Sequence, residues 1–368
     1  MTGRVLRFPA RAVTAEEGRR LAERILSVSI PDRAARAKEF GFDDPETLLA
    51  LCAELRTRLE VSPAAVRDDA DFFFRFLAEP KRPIGLFDER EYFLGEIALL
   101  AGSASRMLAL REEARRWFDR SEANFRLTVN AVADWSRVTY QRLALRLEER
   151  NFAELREHLP ILAESFERLD MHEDFLKCRF LEAIAATETG DLDAAVDVYR
   201  YIVQEAERLS NERLLAIAQV NLVVVYGTLG YTEEALAQSQ KAIPLLERLH
   251  DRVNLAKVRQ GIGALLRSKH QVLAAIDAYR ESQADFAELE MWADVAAVRL
   301  IIADLLLETG DESSAVAEIL QALPVIEEYK LAPEGVAATA LLRESLNQRR
   351  VNHQALRDLH GFFEETVS

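Results

Sequence analysis

Glycine, proline and cysteine are scarce in this sequence of 368 residues, with 14, 10 and 2 copies. Few chain breakers, with Ala, Leu, Glu and Arg recurring throughout, favour long helices over strands, because these residues lose little rotamer freedom in a helix. The two cysteines, Cys52 and Cys178, lie far apart in different segments. The sequence therefore offers no disulfide framework, and a reducing cytoplasm fits it.

Long apolar runs are missing as well. Nowhere do about 18 apolar residues follow one another, so the sequence predicts no membrane span. The N-terminus lacks the apolar stretch of a secretion signal, and Glu16, Glu17 and Glu23 argue against a transit peptide. We therefore expect a cytoplasmic protein.

Positive charge is in deficit, since 47 Lys and Arg stand against 62 Asp and Glu, a net charge of -15. Such a chain repels phosphate backbones, which argues against nucleic acid as a general partner. The deficit is uneven: residues 1–36 hold eight Arg and four acidic residues, net +4, which leaves −19 for the rest. This basic segment is expected to lie on the acidic body or to form a second contact.

Motifs of catalysis and cofactor binding are also absent from the sequence. There is no Gly-rich phosphate loop, no G-x-S-x-G, no H-E-x-x-H and no C-x-x-C. The six histidines are scattered over predicted turns and helix ends without metal-ligand spacing. We predict no catalytic residue, no cofactor and no metal site, and hence a protein that is not an enzyme.

What the sequence does contain is a repeat with a period of 40 residues. The letters ETGD at 188–191 return at 308–311, three periods later. When the repeats are aligned, residues 40 positions apart form a column. Three such columns are Gly190, Gly230 and Gly310 with Arg150, His270 and Arg350; Leu155, Ala195, Ala235, Ala275, Ala315 and Ala355; and Leu169, Leu209, Leu249, Leu289 and Tyr329.

Each 40-residue repeat predicts two helices joined by a tight turn. In residues 220–249 an apolar run closes at Gly230, which can adopt the left-handed conformation that ends a helix. Thr232 is expected to cap the second helix. Ala235 is expected where the two helices cross, since a small side chain lets their backbones approach.

These columns resemble the tetratricopeptide repeat (TPR) family. The turn glycine, the small residue five positions later and the bulky residue four beyond it match the family pattern, the last at Tyr199, Tyr279 and Ile319. Small first-helix residues match at Ala183, Gly263 and Ala303. Val223 and Arg343 in that small slot, and His270 at the turn, depart from the pattern. The usual period is about 34 residues, so a period of 40 resembles the family's expanded subgroup.

The resemblance implies an all-α fold, a right-handed α-solenoid of TPR-like helical hairpins with an N-terminal helical extension. We expect the extension over residues 1–86, basic at its start. The solenoid then covers residues 87–368 with about seven hairpins, in the 40-residue register from about residue 130. The last hairpin, Pro333–Val367, has the polar face of a capping repeat.

The N-terminal region lies outside that register. A capping box of Thr14 with Glu17 predicts one helix. Asp44-Pro45 and Ser62-Pro63 each read as a cap followed by proline at the first helical position. We expect four short helices over residues 14–80 and a linker at 79–90. The aromatic run 71–77 either packs into the first hairpin or forms a docking surface for a partner.

Solenoids of this family bind an extended peptide or a helix on their concave face. Carried over by column, the resemblance implies a groove lined by first-helix positions 18, 15, 14 and 11 before the small second-helix residue. The candidate binding residues are Arg137, Tyr140, Gln141, Lys177, Phe180, Asn221, Lys257 and Gln260. Farther along, the same columns become apolar and include Leu300, Ile301 and Asp304.

Within these columns Asn221 occupies the position whose Asn, in the family, often holds the backbone amide of a ligand. Lys177 and Lys257 would flank it, placed to meet a carboxylate or an acidic side chain. The alternative is that these polar side chains are simply solvated or bonded to a neighbouring helix.

The first functional hypothesis is a scaffold or adaptor that binds a protein or peptide on its concave face. The alternative is a transcriptional regulator of the bacterial peptide-sensing solenoid type, in which a signal peptide closes the superhelix. A third hypothesis, an enzyme, has no residue to which the sequence assigns a role.

Overall fold

The structure is a computed structural model that describes residues 13–40, 44–59, 61–79, 89–128, 131–328, 339, 342–343 and 353–367. Within these ranges the chain is helical and contains no β-strand. It divides into two compact units, residues 1–185 and 186–368.

The first unit contains four N-terminal helices and the first helical hairpins. Its helices are α1 (Ala15–Leu26), α2 (Ile30–Phe40), α3 (Pro45–Arg58), α4 (Pro63–Ala78), α5 (Arg90–Met107), α6 (Arg111–Phe125), α7 (Val132–Glu148), α8 (Phe152–Arg168) and most of α9 (His172–Glu188).

The second unit continues the hairpins. Its helices are α10 (Leu192–Arg208), α11 (Glu212–Leu229), α12 (Thr232–Arg248), α13 (Arg252–Ser268), α14 (Val272–Glu288), α15 (Trp292–Glu308), α16 (Glu312–Glu328) and α17 (His353–Val367). From α7 to α16 a new helix begins every 20 residues, from Val132 to Glu312. The 40-residue sequence period is therefore two half-repeats of one helix and one short turn.

The turn between α5 and α6 and the turns between successive helices from α7 to α16 share one backbone geometry. Each has a residue in the left-handed region, occupied by Gly190, Gly230 and Gly310 and, at φ between 53° and 58°, by Ala109, Arg150, Asp170, Ser210, His250, His270 and Glu290. The N–H of the following residue donates to a carbonyl five positions earlier, as from Tyr231 to Tyr226 at 2.9 Å. This is the Schellman motif, which satisfies the last carbonyls of a helix. Gly230 therefore ends α11 as predicted.

The small-residue column lies at the helix crossings. Ala195, Ala235, Ala275 and Ala315 are 0% exposed. In the first helix of a hairpin, a Cβ added to Gly263 would lie 2.8 Å from the ring of Tyr279. Larger side chains at these crossings would push the helices apart, as the sequence pattern predicts.

The N-terminal helices have the predicted starts, with one exception. Thr14 and Glu17 form the capping box, and the Asp44 side chain accepts from the N–H groups of Glu46 and Thr47. Ser62 precedes α4 without a side-chain cap hydrogen bond.

The aromatic run packs inside the first unit. Phe73 is 0% exposed and belongs to one apolar cluster with Phe93 and Ile97 of α5. Phe74 meets Trp117 of α6 edge to face, with ring centroids 5.2 Å apart. The prediction of a helix that packs into the first hairpin is confirmed.

The predicted cap at Thr232 is wrong by one position. Tyr231 occupies the N-cap, and Thr232 is the first residue of α12. The Schellman turn leaves the cap position to the residue directly after the left-handed one, so Gly230 is followed at once by the N-cap Tyr231. At the equivalent positions Asn151, Asn211 and Asp251 do cap, each accepting from a backbone N–H three residues on.

Two predictions fall mainly outside the described residues. They are most of the 79–90 linker and most of the first helix of the last hairpin, with its polar face at Asn347, Gln348, Arg349, Arg350 and Asn352. Among the described helices, α11 has the length and apolar composition of a membrane span. It packs against α10, α12 and α13.

Candidate functional site

First-helix positions separated by three, four and seven residues share one helical face. In α11 this face carries Ile217, Val220, Asn221 and Val224, in α13 Lys257, Gln260, Gly261 and Ala264, and in α15 Ala297, Leu300, Ile301 and Asp304. We call these twelve residues of the second unit the inner face. On α11 and α13 the inner face is open, since Val224 is 57% exposed and Lys257 and Ala264 are exposed as well.

In the first unit, Arg137 is engaged within the protein. Its guanidinium lies 2.6 Å from Glu96 of α5 and also binds Asp134. Glu96 is 2% exposed and receives Arg56 of α3 at 2.7 Å. Burial by itself would lower the pKa of Arg137, but Glu96 and Asp134 outweigh burial, and the pKa is raised. A ligand at Arg137 would therefore share the cation with two carboxylates.

The other first-unit candidates are partly engaged. Tyr140 is half-buried, and burial raises its pKa to about 12. Gln141 accepts from Arg106 at 3.2 Å. Lys177 is exposed and pairs with Asp174 one turn earlier at 2.9 Å, while Phe180 is half-buried.

In the second unit, Asn221 is held at both ends of its amide. The amide nitrogen donates to the carbonyl of Ile217 at 2.8 Å, and the amide oxygen accepts from the Tyr199 hydroxyl at 3.3 Å. One N–H and one lone pair stay available, because a side-chain amide has two donors and two acceptor sites. The internal bonds fix the orientation in which Asn221 presents them.

Lys257 and Gln260 lie one turn apart on the open face of α13. Lys257 is exposed and forms no ion pair with the residues that the structure describes. Gln260 is half-buried beside it. Of the two candidate lysines, Lys257 therefore offers the cation that has no carboxylate bound to it.

A cavity of about 520 Å³ opens on the inner face between α13, α15 and α17. Its walls are Ala264, Arg267, Ser268, Tyr279, Leu300, Ile301, Asp304, Leu356, Arg357 and His360. Apolar or aromatic side chains and polar or charged ones contribute equally to this lining, so a ligand there would meet both apolar contacts and charged groups.

Asp304 is the charged centre of the cavity and is 2% exposed. Its carboxylate receives Arg267 of α13 at 2.5 Å, and His353 and Arg357 of α17 at 2.8 and 3.0 Å. Burial by itself would raise the pKa of Asp304, but the hydrogen bonds from these three side chains outweigh burial and hold the pKa below its ordinary value. The carboxylate therefore stays ionised at neutral pH.

Sequence reasoning missed Arg267, His353 and Arg357. Arg267 lies three residues beyond Ala264 on the same helix, so the column pattern offered a signal for it. No sequence spacing indicates His353 or Arg357, because their contact with Asp304 depends on where α17 packs. In the part of the chain that the structure describes, no group of three or more His, Cys, Asp or Glu side chains is placed to hold a metal ion.

No family model matches the chain, and no curated protein matches its sequence. Solved structures share its fold at low identity. A Rap protein complexed with competence and sporulation factor has a TM-score of 0.58 at 14% identity, over 96% of this chain and 97% of that chain. RapI in its apo form has a TM-score of 0.56 at 11% identity, over 75% of this chain and 97% of that one.

A signal-transduction ATPase with a tetratricopeptide repeat sensor, from Pyrococcus horikoshii, has a TM-score of 0.57 at 16% identity. The match covers 86% of this chain and 48% of the ATPase. Together with the hairpins and their turns, these likenesses confirm the predicted fold class, an all-α solenoid fold of tetratricopeptide-like helical repeats.

Proposed function

We propose that the chain is a non-enzymatic interaction protein, a scaffold or adaptor that binds a peptide or a segment of a partner protein on the inner face. The observation that carries the proposal is the open inner face of α11 and α13, which continues at Ala264 into the cavity between α13, α15 and α17. Ala264, Leu300, Ile301 and Asp304, which line it, occupy the columns that family resemblance assigns to ligand contact.

The open part of the inner face has the chemistry of peptide recognition. Val224 offers an apolar contact, Asn221 an amide held in one orientation, and Lys257 a cation that pairs with no carboxylate of the described residues. An amide in a fixed orientation can bond to a peptide backbone, and a lysine attracts a carboxylate. The ligand that fits is a peptide with apolar side chains and an acidic or carboxylate group near Lys257, with Gln260 as a further polar contact.

The first-unit candidates, Arg137, Tyr140, Gln141, Lys177 and Phe180, belong to the proposal as a second contact surface. Lys177 is its most accessible cation, since Arg137 already binds two carboxylates. The proposal also includes membership of the expanded 40-residue subgroup and the division into residues 1–86 and 87–368. A cytoplasmic location is part of it, in keeping with Cys52 and Cys178, which are buried free thiols.

The fold neighbours support a binding function over the regulatory alternative. One of them is a Rap protein complexed with competence and sporulation factor, matched along almost its whole length. The comparison does not favour the alternative of a transcriptional regulator.

Affinity capture from a lysate of the source organism tests the proposal. The baits are the wild-type chain, an inner-face variant with Asn221→Ala, Lys257→Glu and Gln260→Ala, and a control with Lys241→Glu. Lys241 is an exposed lysine of α12, so the control makes the same charge reversal away from the inner face. We expect one partner to be retained by wild type and control and lost by the variant. A partner that all three baits retain would overturn the assignment.

A further inference from the structure

The inner face is covered at one of its three helices. On α11, Val224 is 57% exposed, and on α13 the equivalent Ala264 is exposed. On α15 the equivalent residue is Asp304, which is 2% exposed, and Leu300 beside it is 1% exposed. The lower exposure on α15 cannot come from the repeat itself, because α11, α13 and α15 occupy equivalent positions in the repeat.

Among the described helices, α17 covers this face of α15. Leu356, Arg357 and His360 of α17 line the cavity together with Leu300, Ile301 and Asp304. Leu356, Leu359 and Phe363 are at most 1% exposed and belong to the same apolar cluster as Leu300 and Ile302. α17 thus packs on α15, the first helix of the hairpin that α15 forms with α16.

The polar part of this contact has a regular pattern. On α17, His353 and Arg357 stand one turn apart with Leu356 beside them; on α15, Asp304 and Glu308 also stand one turn apart. His353 and Arg357 both bind Asp304, and Arg357 reaches Glu308 at 3.4 Å. A basic and apolar stripe on one helix thus faces an acidic and apolar stripe on the other.

We propose that α17 is an intramolecular ligand of the inner face, and that a partner helix with the same stripe, an arginine beside a leucine, enters by displacing it. This inference rests on the proposed function, because it names the ligand of the covered end of the same face. The occupant at α15 is thereby an amphipathic helix whose contacting stripe places an arginine beside a leucine, and the acidic or carboxylate group is still expected at Lys257.

We call the contact of His353 and Arg357 with Asp304 and Glu308 the latch, and its exposure allows it to be released. The side chains of His353 and Arg357 are 45% and 53% exposed, so water and salt reach the cationic side of the contact. Arg267 stays on Asp304 and Glu308 from α13 when α17 leaves, at 2.5 Å from each. The buried carboxylate therefore keeps a partner, and opening the face does not leave it unpaired.

A thiol probe tests whether α17 covers the cavity. Cys52 and Cys178 are 3% and 1% exposed, so a single Ile301→Cys in the full chain is the reactive site. We expect its labelling rate to rise about tenfold when His353→Ala and Arg357→Ala are added (the latch variant), since the His353 contact and the Arg357 ion pairs that hold α17 are lost. Arg252→Ala removes an ion pair of similar exposure with Glu288 and should leave the rate unchanged. A rate that the latch variant does not change overturns the inference.

A peptide tests the chemistry of the occupant. The probe is a fluorescent peptide with the sequence of residues 353–367, HQALRDLHGFFEETV, titrated into full-length chains. We expect the His353→Ala, Arg357→Ala chain to bind it at least about tenfold more tightly than wild type, whose own α17 competes at high effective concentration. A peptide with Arg357→Glu should not bind. Equal binding to both chains, or binding of the Arg357→Glu peptide, contradicts the inference.

The two proposals can fail separately. A rise in labelling without any captured partner would leave α17 as the cover of the face and remove the proposed function. A captured partner that is lost in the inner-face variant, with labelling unchanged by the latch variant, would retain the function and remove the role of α17.

Discussion

At the scale of single residues, the left-handed positions at the turns decide where each helix ends. A Cβ added at Gly190, Gly230 or Gly310 meets no atom within 4 Å, so glycine is used there for its backbone freedom alone. At the equivalent position His270 adopts φ 58° with a side chain, which costs about 1–2 kcal/mol relative to an ordinary helical residue.

Exchanging residues at these turns should change stability in opposite directions. We expect Gly230→Ala to lower the free energy of unfolding by about 1 kcal/mol and His270→Gly to raise it by roughly 0.5–1 kcal/mol. Urea denaturation followed by circular dichroism measures both. If the two substitutions shift the midpoint in the same direction, backbone conformation does not determine the role of these positions.

The two thiols should be unreactive in the folded chain. Burial raises the pKa of Cys52 and of Cys178 to about 12, with Glu96 adding to the effect at Cys52 and Asp174 at Cys178. Because the thiolate is the nucleophile, their reaction with a thiol reagent at pH 8 should be about a thousandfold slower than in the unfolded chain. Rapid modification without denaturant would show that one of the two sites is open.

At the scale of helices, the crossings within and between hairpins set different limits on side-chain size. Gly263 faces Tyr279 of the second helix, and an added Cβ would lie 2.8 Å from its ring. Gly261, two positions earlier on α13, would place a Cβ 3.7 Å from Val223, an ordinary contact. The two glycines therefore form a matched pair on one helix.

We expect Gly263→Ala to destabilise the chain by about 1–3 kcal/mol through overpacking. Gly261→Ala should stabilise it by up to about 1 kcal/mol, since alanine is the better helix former. Thermal or urea unfolding of the two variants measures the difference. Equal effects would show that the crossing at Tyr279 is looser than these distances indicate.

The contact between α15 and α17 should weaken in acid. The pKa of Asp304 is lower in the folded chain than in the unfolded one, so its ionic contacts contribute fully above the unfolded value of about 4. The contribution is lost as the pH falls through the lower, folded pKa. At pH 6 we expect Asp304→Asn to cost about 1–3 kcal/mol.

That difference between wild type and Asp304→Asn should shrink as the pH falls from 6 to 3. Urea denaturation at each pH measures it, with Asp193→Asn on the exposed first turn of α10 as a control for general charge effects. A difference that is constant with pH would mean that the charge on Asp304 does not hold α17.

At the scale of the whole molecule, the sequence repeat predicted the hairpins well because Gly230 and Ala235 act locally, one ending a helix and the other at a crossing. The 20-residue half-period escaped prediction because Asp170, Ser210 and His250 adopt the left-handed conformation without the glycine that would signal it. The residue type at such a turn gives no signal of it, because the Schellman hydrogen bonds alone hold the backbone in the left-handed conformation.

The candidate site was predictable only in part, for a related reason. A column position such as Lys257 follows from helical spacing, and its exposure agrees with a surface face. The pairing of Arg137 with Glu96, and the cover that α17 places over Asp304, depend on contacts between residues distant in sequence. A single sequence gives no signal of such pairs.

The central claim is that a partner binds through the inner face of α11 and α13. Its most direct test is calorimetric titration of the captured partner into wild type, the Lys241→Glu control and the variant with Asn221→Ala, Lys257→Glu and Gln260→Ala, at equal helical content. We predict the same Kd for wild type and control, and a Kd at least about tenfold weaker for the variant, from the loss of one charged contact and two polar ones. An unchanged Kd in the variant would contradict the claim.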